Sequence, residues 1–131
     1  MFVLKGGGIV SLLSERCIPC RGDIAPLTIK EAQEYLSETP GWSLIDISSR
    51  IRRNFTFKDF LSALEFVQKI SALAEEQGHH PDISFGWGYC SVIFYTHKIA
   101  GLHKNDFIMA AKVNTLFDES PPGEEKKERK G

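Results

Sequence analysis

Asp82-Ile83-Ser84-Phe85-Gly86-Trp87-Gly88-Tyr89-Cys90-Ser91-Val92-Ile93-Phe94-Tyr95-Thr96-His97 consists of two aromatic and β-branched runs broken at Gly88. Such runs favour strands, and a glycine between them favours a turn. The stretch therefore predicts a hairpin with strands over Asp82 to Trp87 and Tyr89 to Thr96. Side chains alternate across a strand, so His97 should share a face with Tyr95, Ile93 and Ser91, while Phe94 and Val92 take the opposite face. His97 is then expected to end its strand at the sheet edge.

Working upstream, Gly78 is the natural stop of a long helix that opens at Thr56-Phe57-Lys58-Asp59, with Phe60, Leu64, Val67, Ile70 and Ala74 as its apolar stripe. Before it, Trp42 to Ile47 and Ile51 to Phe55 read as two strands joined at Ser48-Ser49. Ile51, Arg53 and Phe55 alternate there with Arg52, Asn54 and Thr56. Thr28-Ile29-Lys30-Glu31 is a capping box for a helix reaching about Ser37, which Pro40-Gly41 ends. Downstream of the hairpin, a helix from about Lys104 to Phe117 carries Phe107, Ala110, Ala111 and Asn114 on one side. The strand-strand-helix order occurs twice. It predicts a two-layer α+β fold with a four-stranded, mainly antiparallel sheet and three helices packed on one face. The expected organisation is an N-terminal extension and leader (1–27), the folded domain (28–118) and a charged, disordered tail (119–131).

With 131 residues, 42% hydrophobic and 25% charged, the chain is in the one-domain range and can bury a sizeable core. A net charge of −1 gives no electrostatic footprint for nucleic acid or an acidic membrane surface. No apolar run reaches the ~18 residues of a membrane span, and Gly6-Gly7-Gly8 interrupts what would otherwise be a signal-like start. Three cysteines are too few and odd for a disulfide scaffold, so the cytoplasm is the expected location. Cys17-x-x-Cys20 is half of a zinc motif without a second half, and a structural or incidental role is expected for it. Cys90, inside an apolar run, is expected to be a small buried hydrophobe.

Chemistry concentrates between Glu75 and Asp106. All four of the chain's histidines fall there, and His79, His80 and His97 lie between carboxylates at the two ends, Glu75 and Asp106. Imidazole changes charge near neutral pH, so such a cluster suits proton transfer. Glu75 is four residues before His79, within reach of its ring if the helix persists. Pro81 pushes His80 toward an extended conformation and fixes the exit of the pair.

Glu75-Glu76-Gln77-Gly78-His79-His80-Pro81, then Trp87, then Thr96-His97, then Gly101-Leu102-His103-Lys104-Asn105-Asp106 resembles the signature of pterin-4a-carbinolamine dehydratases, of the bacterial type. Cys17-Ile18-Pro19-Cys20-Arg21-Gly22, Pro26-Leu27 and Pro40-Gly41-Trp42 extend the similarity across about residues 14 to 118. The resemblance implies dehydration of a 4a-hydroxytetrahydropterin to the quinonoid dihydropterin, with no cofactor and no metal. It implies an acid/base pair in His79 and His97, with His80 holding the pterin and Glu75 and Asp106 orienting the histidines. Pro81, Trp87 and Thr96 would then shape the substrate pocket. Which histidine is acid and which is base stays open. The family often has Ser or Thr at the place of His103, which is accordingly expected to be a cap or surface residue. A homodimer or homotetramer is also implied. Vertebrate relatives serve as dimerisation cofactors of a homeodomain transcription factor, so a non-catalytic pterin-binding or dimerisation module is the alternative. Zinc held by Cys17, Cys20 and two histidines is a third possibility.

Overall fold

A computed structural model of the chain describes residues 12–19 and 21–119. Helices α1 (Ile29–Leu36), α2 (Phe60–Gln77) and α3 (Lys104–Glu119) accompany strands β1 (Ser43–Ile45), β2 (Arg50–Thr56), β3 (Asp82–Gly86) and β4 (Tyr89–Phe94). The strands form one sheet in the order β1-β2-β4-β3, with every neighbouring pair antiparallel. The α+β class expected from the sequence is therefore present. Residues 12–14 add a short helical segment to the three expected helices. No helix among the described residues is long and apolar enough to cross a membrane.

Local chemistry sets the element ends. Thr28 accepts from the Glu31 amide at 3.1 Å, and the Glu31 carboxylate accepts from the Thr28 amide at 2.9 Å, a complete capping box for α1. Asp59 accepts from the Ser62 amide at 2.8 Å and opens α2. Gly78 closes α2 at φ 68°, where a side chain would be strained, and its amide and that of His79 both bond to the Ala74 carbonyl. That reversal throws His79 and His80 off the helix in a fixed direction.

The core lies between the sheet and the helices. Cys90, Val92 and Phe94 of β4 and Ile51 and Phe55 of β2 point into it, while Arg52, Asn54 and Thr56 are exposed. Phe55 packs against Phe66 and Phe117 with ring centroids 4.9 Å away in both cases. Each such buried ring removes enough apolar surface to stabilise the fold by about 2 to 3 kcal/mol.

Four features depart from expectation. The fully buried residues of α2 are Ala63, Phe66, Ile70 and Ala74, whereas Phe60 is 47% exposed. As the first residue of the helix, Phe60 projects past the core and packs on Phe85 at 5.4 Å instead. The strand carrying the hairpin's second half ends at Phe94 and is an interior strand, so His97 is neither on a strand nor at a sheet edge. His97 instead starts a 3-10 turn, His97–Ile99, whose base is a bridge between Thr96 and Gly101. Helix α2 starts at Phe60 with Asp59 as its cap, three residues later than a capping box at Thr56 would place it, because Thr56 is the last residue of β2. Finally, Leu12 is part of the core and only 2% exposed, which anchors the segment ahead of residue 28. The tail after residue 119 and Cys20 lie outside the described residues.

Candidate active site

The end of α2, the exit of β4 and the first turn of α3 converge on one buried carboxylate. Asp106 has a fully buried side chain. One of its oxygens meets His79 Nε2 at 2.6 Å; the other accepts from the Thr96 hydroxyl at 2.8 Å and from the His103 amide at 3.0 Å. A carboxylate only accepts, so it selects the His79 tautomer with the proton on Nε2 and leaves Nδ1 as the unprotonated ring nitrogen. The His79 ring is 12% exposed and lies nearly parallel to Phe94, at 12° and 6.0 Å. It can rotate little.

His103 supplies the other half of an unusual cap. Its Nδ1 accepts from the Asn105 amide at 2.9 Å, while the Asp106 carboxylate reaches back to the His103 amide. The arrangement is close to a capping box, with His and Asp in place of Ser and Glu and with the ring accepting from the second helical amide rather than the third. The cap role expected for His103 is what the geometry gives.

Burial pulls the His103 pKa below its usual 6.5, against the opposing charge of Asp106. A histidine with a depressed folded pKa adds stability that is complete above pH 6.5 and is lost as pH falls toward the folded value. His103→Asn keeps a capping oxygen without the titration. Its melting temperature should therefore drop less than that of the wild type between about pH 7.5 and about pH 5.5. Equal drops in thermal melts of the two proteins would contradict this.

The second histidine pair is exchanged relative to the spacing argument. Glu75 bonds His80 Nε2 at 2.5 Å, and His79 belongs to Asp106. The physical reason is the left-handed turn at Gly78, which turns His79 inward and leaves His80 facing back along α2. The His80–Glu75 pair is exposed and contributes little to stability.

His97 is exposed, and its ring lies 4.2 Å from that of Tyr95. The Arg50 guanidinium sits 4.0 Å over the Tyr95 ring, so a cation-π contact steadies the platform on which His97 rests. The Leu27 amide bonds the Leu102 carbonyl at 2.8 Å, and Gly101 lies so close under Pro26 that a Cβ there would meet the proline at 2.7 Å. These contacts fix the loop behind His97.

His79, His80, Thr96 and His97 border one cleft of about 640 Å³, together with Tyr95 and Asn105 among others. That size suits a small organic molecule. Glu75 and Asp106 stand behind the lining as partners of His80 and His79. Pro81 follows His80 but is not in the wall, and Thr96, 3% exposed, serves mainly as a donor to Asp106. Trp87 does not reach the cleft within this chain. It is 72% exposed at the hairpin turn, at the far end of β3 from Pro81.

Asn105, Gln77 and Tyr95 were not among the residues expected from the sequence. Asn105, 2% exposed, is a buried amide with no periodic signature to announce it. Cys17 also touches the cleft; burial, reinforced by the Asp106 charge, pushes its thiol up to about 11 and keeps it neutral. Among the described residues no three His, Cys, Asp or Glu side chains gather as they would around a metal ion.

A family model described as pterin 4 alpha carbinolamine dehydratase matches residues 25–116. A Methylococcus capsulatus protein provisionally named pterin-4-alpha-carbinolamine dehydratase is 53% identical over 110 residues, covering 84% of this chain and 96% of its own. A Cupriavidus pinatubonensis protein with the same provisional name is 58% identical over 105 residues, covering 80% and 90%. Among solved structures, a transcriptional coactivator/pterin dehydratase from Brucella melitensis superposes with a TM-score of 0.66 at 34% identity, over 70% of this chain and 97% of that one. A pterin dehydratase-like protein described as a RuBisCO assembly factor in the alpha-carboxysome gives 0.51 at 25% identity, over 58% and 88%. By the extent of the family match and the identity of these relatives, the chain belongs to the pterin 4 alpha carbinolamine dehydratase family.

Proposed function

We propose that the cleft dehydrates a 4a-hydroxytetrahydropterin by proton transfer through His79 and His97. The observation that carries this reading is the buried Asp106 carboxylate, which holds His79 in one tautomer at the edge of a cleft that His97 also borders. In the reaction the carbon–oxygen bond at C4a breaks with its electrons going to oxygen, which takes a proton and leaves as water. A ring N–H gives up its proton, and those electrons form the new C=N bond of the quinonoid dihydropterin. One imidazole supplies the first proton and the other takes the second, so the pair ends the cycle one proton transfer from its starting state. His80, held by Glu75, contacts the pterin. The product is a substrate for reduction, which places the enzyme in tetrahydropterin recycling.

The reading includes action in the cytoplasm and self-association into a homodimer or homotetramer. Self-association is supported by the exposed Phe60, Leu61, Trp87 and Tyr89 near the hairpin turn and by the open edges of β1 and β3. A second reading, a binding or dimerisation module for a transcription regulator, draws on the Brucella neighbour, whose description joins coactivator with dehydratase.

The test is dehydration of chemically generated 4a-hydroxytetrahydropterin by the purified protein, with the buffer rate subtracted. Catalysis is expected without added cofactor and unchanged after dialysis against a chelator. No catalysis would favour the module, and loss on chelation restored by zinc would overturn the metal-free mechanism.

A further inference from the structure

Residues 15–19 cross the mouth of the cleft as an extended strap, and they lie ahead of residues 25–116, where the family match falls. Side chains of α2 and α3, the buried Asn105 first among them, hold the strap. The Asn105 amide bonds Ile18 twice, its Nδ2 donating to the Ile18 carbonyl at 2.6 Å and its Oδ1 accepting from the Ile18 amide at 3.1 Å. One residue further back, Gln77 accepts from the Cys17 amide at 2.9 Å. Lys104 pairs with Glu15 at 2.8 Å, and Lys112 donates to the Leu13 carbonyl at 2.8 Å. Leu12 sits in the core below.

The Ile18 side chain contrasts with its pinned backbone. It is 61% exposed although apolar, and it lines the same cleft as His79, His80 and His97. A side chain that served only to dock the strap would be buried. A large aliphatic group held rigidly at a histidine-bordered cleft, and left uncovered there, is suited to be covered by a ligand.

We infer that Ile18 is a substrate-binding residue, packing on the saturated ring of the bound pterin and its substituent, and that Asn105 is the positioning residue that presents it. This inference rests on the dehydratase reading of the cleft. Cys17 contributes its backbone to the strap and, as a neutral thiol, brings no charge to the cleft. The strap thereby adds an aliphatic wall to a site otherwise lined mainly by imidazoles and other polar side chains.

The experiment uses the full-length chain. Because Ile18 is exposed, Ile18→Ala should fold normally. It should raise KM for the 4a-hydroxytetrahydropterin by about 5- to 10-fold, with kcat within about twofold of the wild type. Ile18→Leu, which keeps the apolar volume, should restore KM. A readout independent of turnover is trypsin cleavage after Arg16, within the strap, and after Arg21, just beyond it, both exposed. Saturating 7,8-dihydrobiopterin, a stable pterin, should slow cleavage at both positions in the wild type. A catalytically active wild type whose Ile18→Ala variant keeps its KM, or whose strap cleavage is unaffected by dihydrobiopterin, would overturn the inference. Protection of the strap in a wild type that does not dehydrate would support the pterin contact and overturn the dehydratase reading instead.

Discussion

His79→Ala and His97→Ala are each expected to cut the catalysed dehydration rate by about 100- to 10,000-fold, with pterin affinity changed far less. The expectation follows from where the two rings stand. His79 is locked by Asp106 and Phe94, so no neighbouring group can take over its position when the ring is removed. His97 stands on the Tyr95–Arg50 platform, across a 3-10 turn that the Thr96–Gly101 bridge holds closed. His80→Ala should behave differently, weakening pterin binding more than it slows the chemistry, because its exposed pairing with Glu75 leaves it a contact role. Comparable kcat losses in all three variants would break the division of labour between the pair and His80.

The largest effect on stability is expected at Asp106. Asp106→Ala removes a buried acceptor used by His79, Thr96 and the His103 amide together. It leaves two buried donors unpaired and opens the cap of α3. The cost should be about 3 kcal/mol of unfolding free energy, or a melting point lower by about 10 °C. Asp106→Asn separates the two roles of this residue. Its amide keeps the volume and one accepting oxygen, so most of the stability should survive. The amide cannot fix both the cap and the His79 tautomer, so turnover should fall about 100-fold or more. Calorimetry and the dehydration assay on the two variants give both quantities. An Asp106→Asn variant with full activity would show that the carboxylate only supports the fold.

The sequence was most legible where chemistry is local. Period-two alternation placed Ser91 and Ile93 on one face of β4 and Val92 and Phe94 on the other, because only the second face is fully buried. The cap at Thr28 and the stop at Gly78 were equally plain, since each rests on one side chain or one φ angle, whereas the cap pattern at Thr56 fell three residues early, because Thr56 ends β2 and Asp59 is the cap. The buried stripe of α2 was not. Leu61, Leu64, Val67 and Leu73 give that helix apolar residues over a broad arc, and periodicity alone could not choose between overlapping stripes.

The histidine partners failed for a related reason. Helical spacing joined Glu75 to His79, but the helix ends at Gln77 and the Gly78 turn exchanges the two rings. Trp87 lies close to Pro81 in sequence yet far in space, because an extended strand rises about 3.4 Å per residue and carries it roughly 20 Å away. Asn105 and the strap it holds depend on contacts between residues 87 positions apart, for which a single sequence has no periodic sign.

The most direct measurement of the central claim is the dehydration rate of the double variant His79→Ala/His97→Ala beside the wild type and buffer alone, with circular dichroism to establish that the variant is folded. Dehydration of the hydroxypterin proceeds in water without a catalyst, so the buffer rate is the floor. If the two imidazoles carry the proton transfers, the folded double variant should fall to that floor while the wild type stands well above it. A folded double variant that still turns over near the wild-type rate would contradict the account and place the chemistry elsewhere.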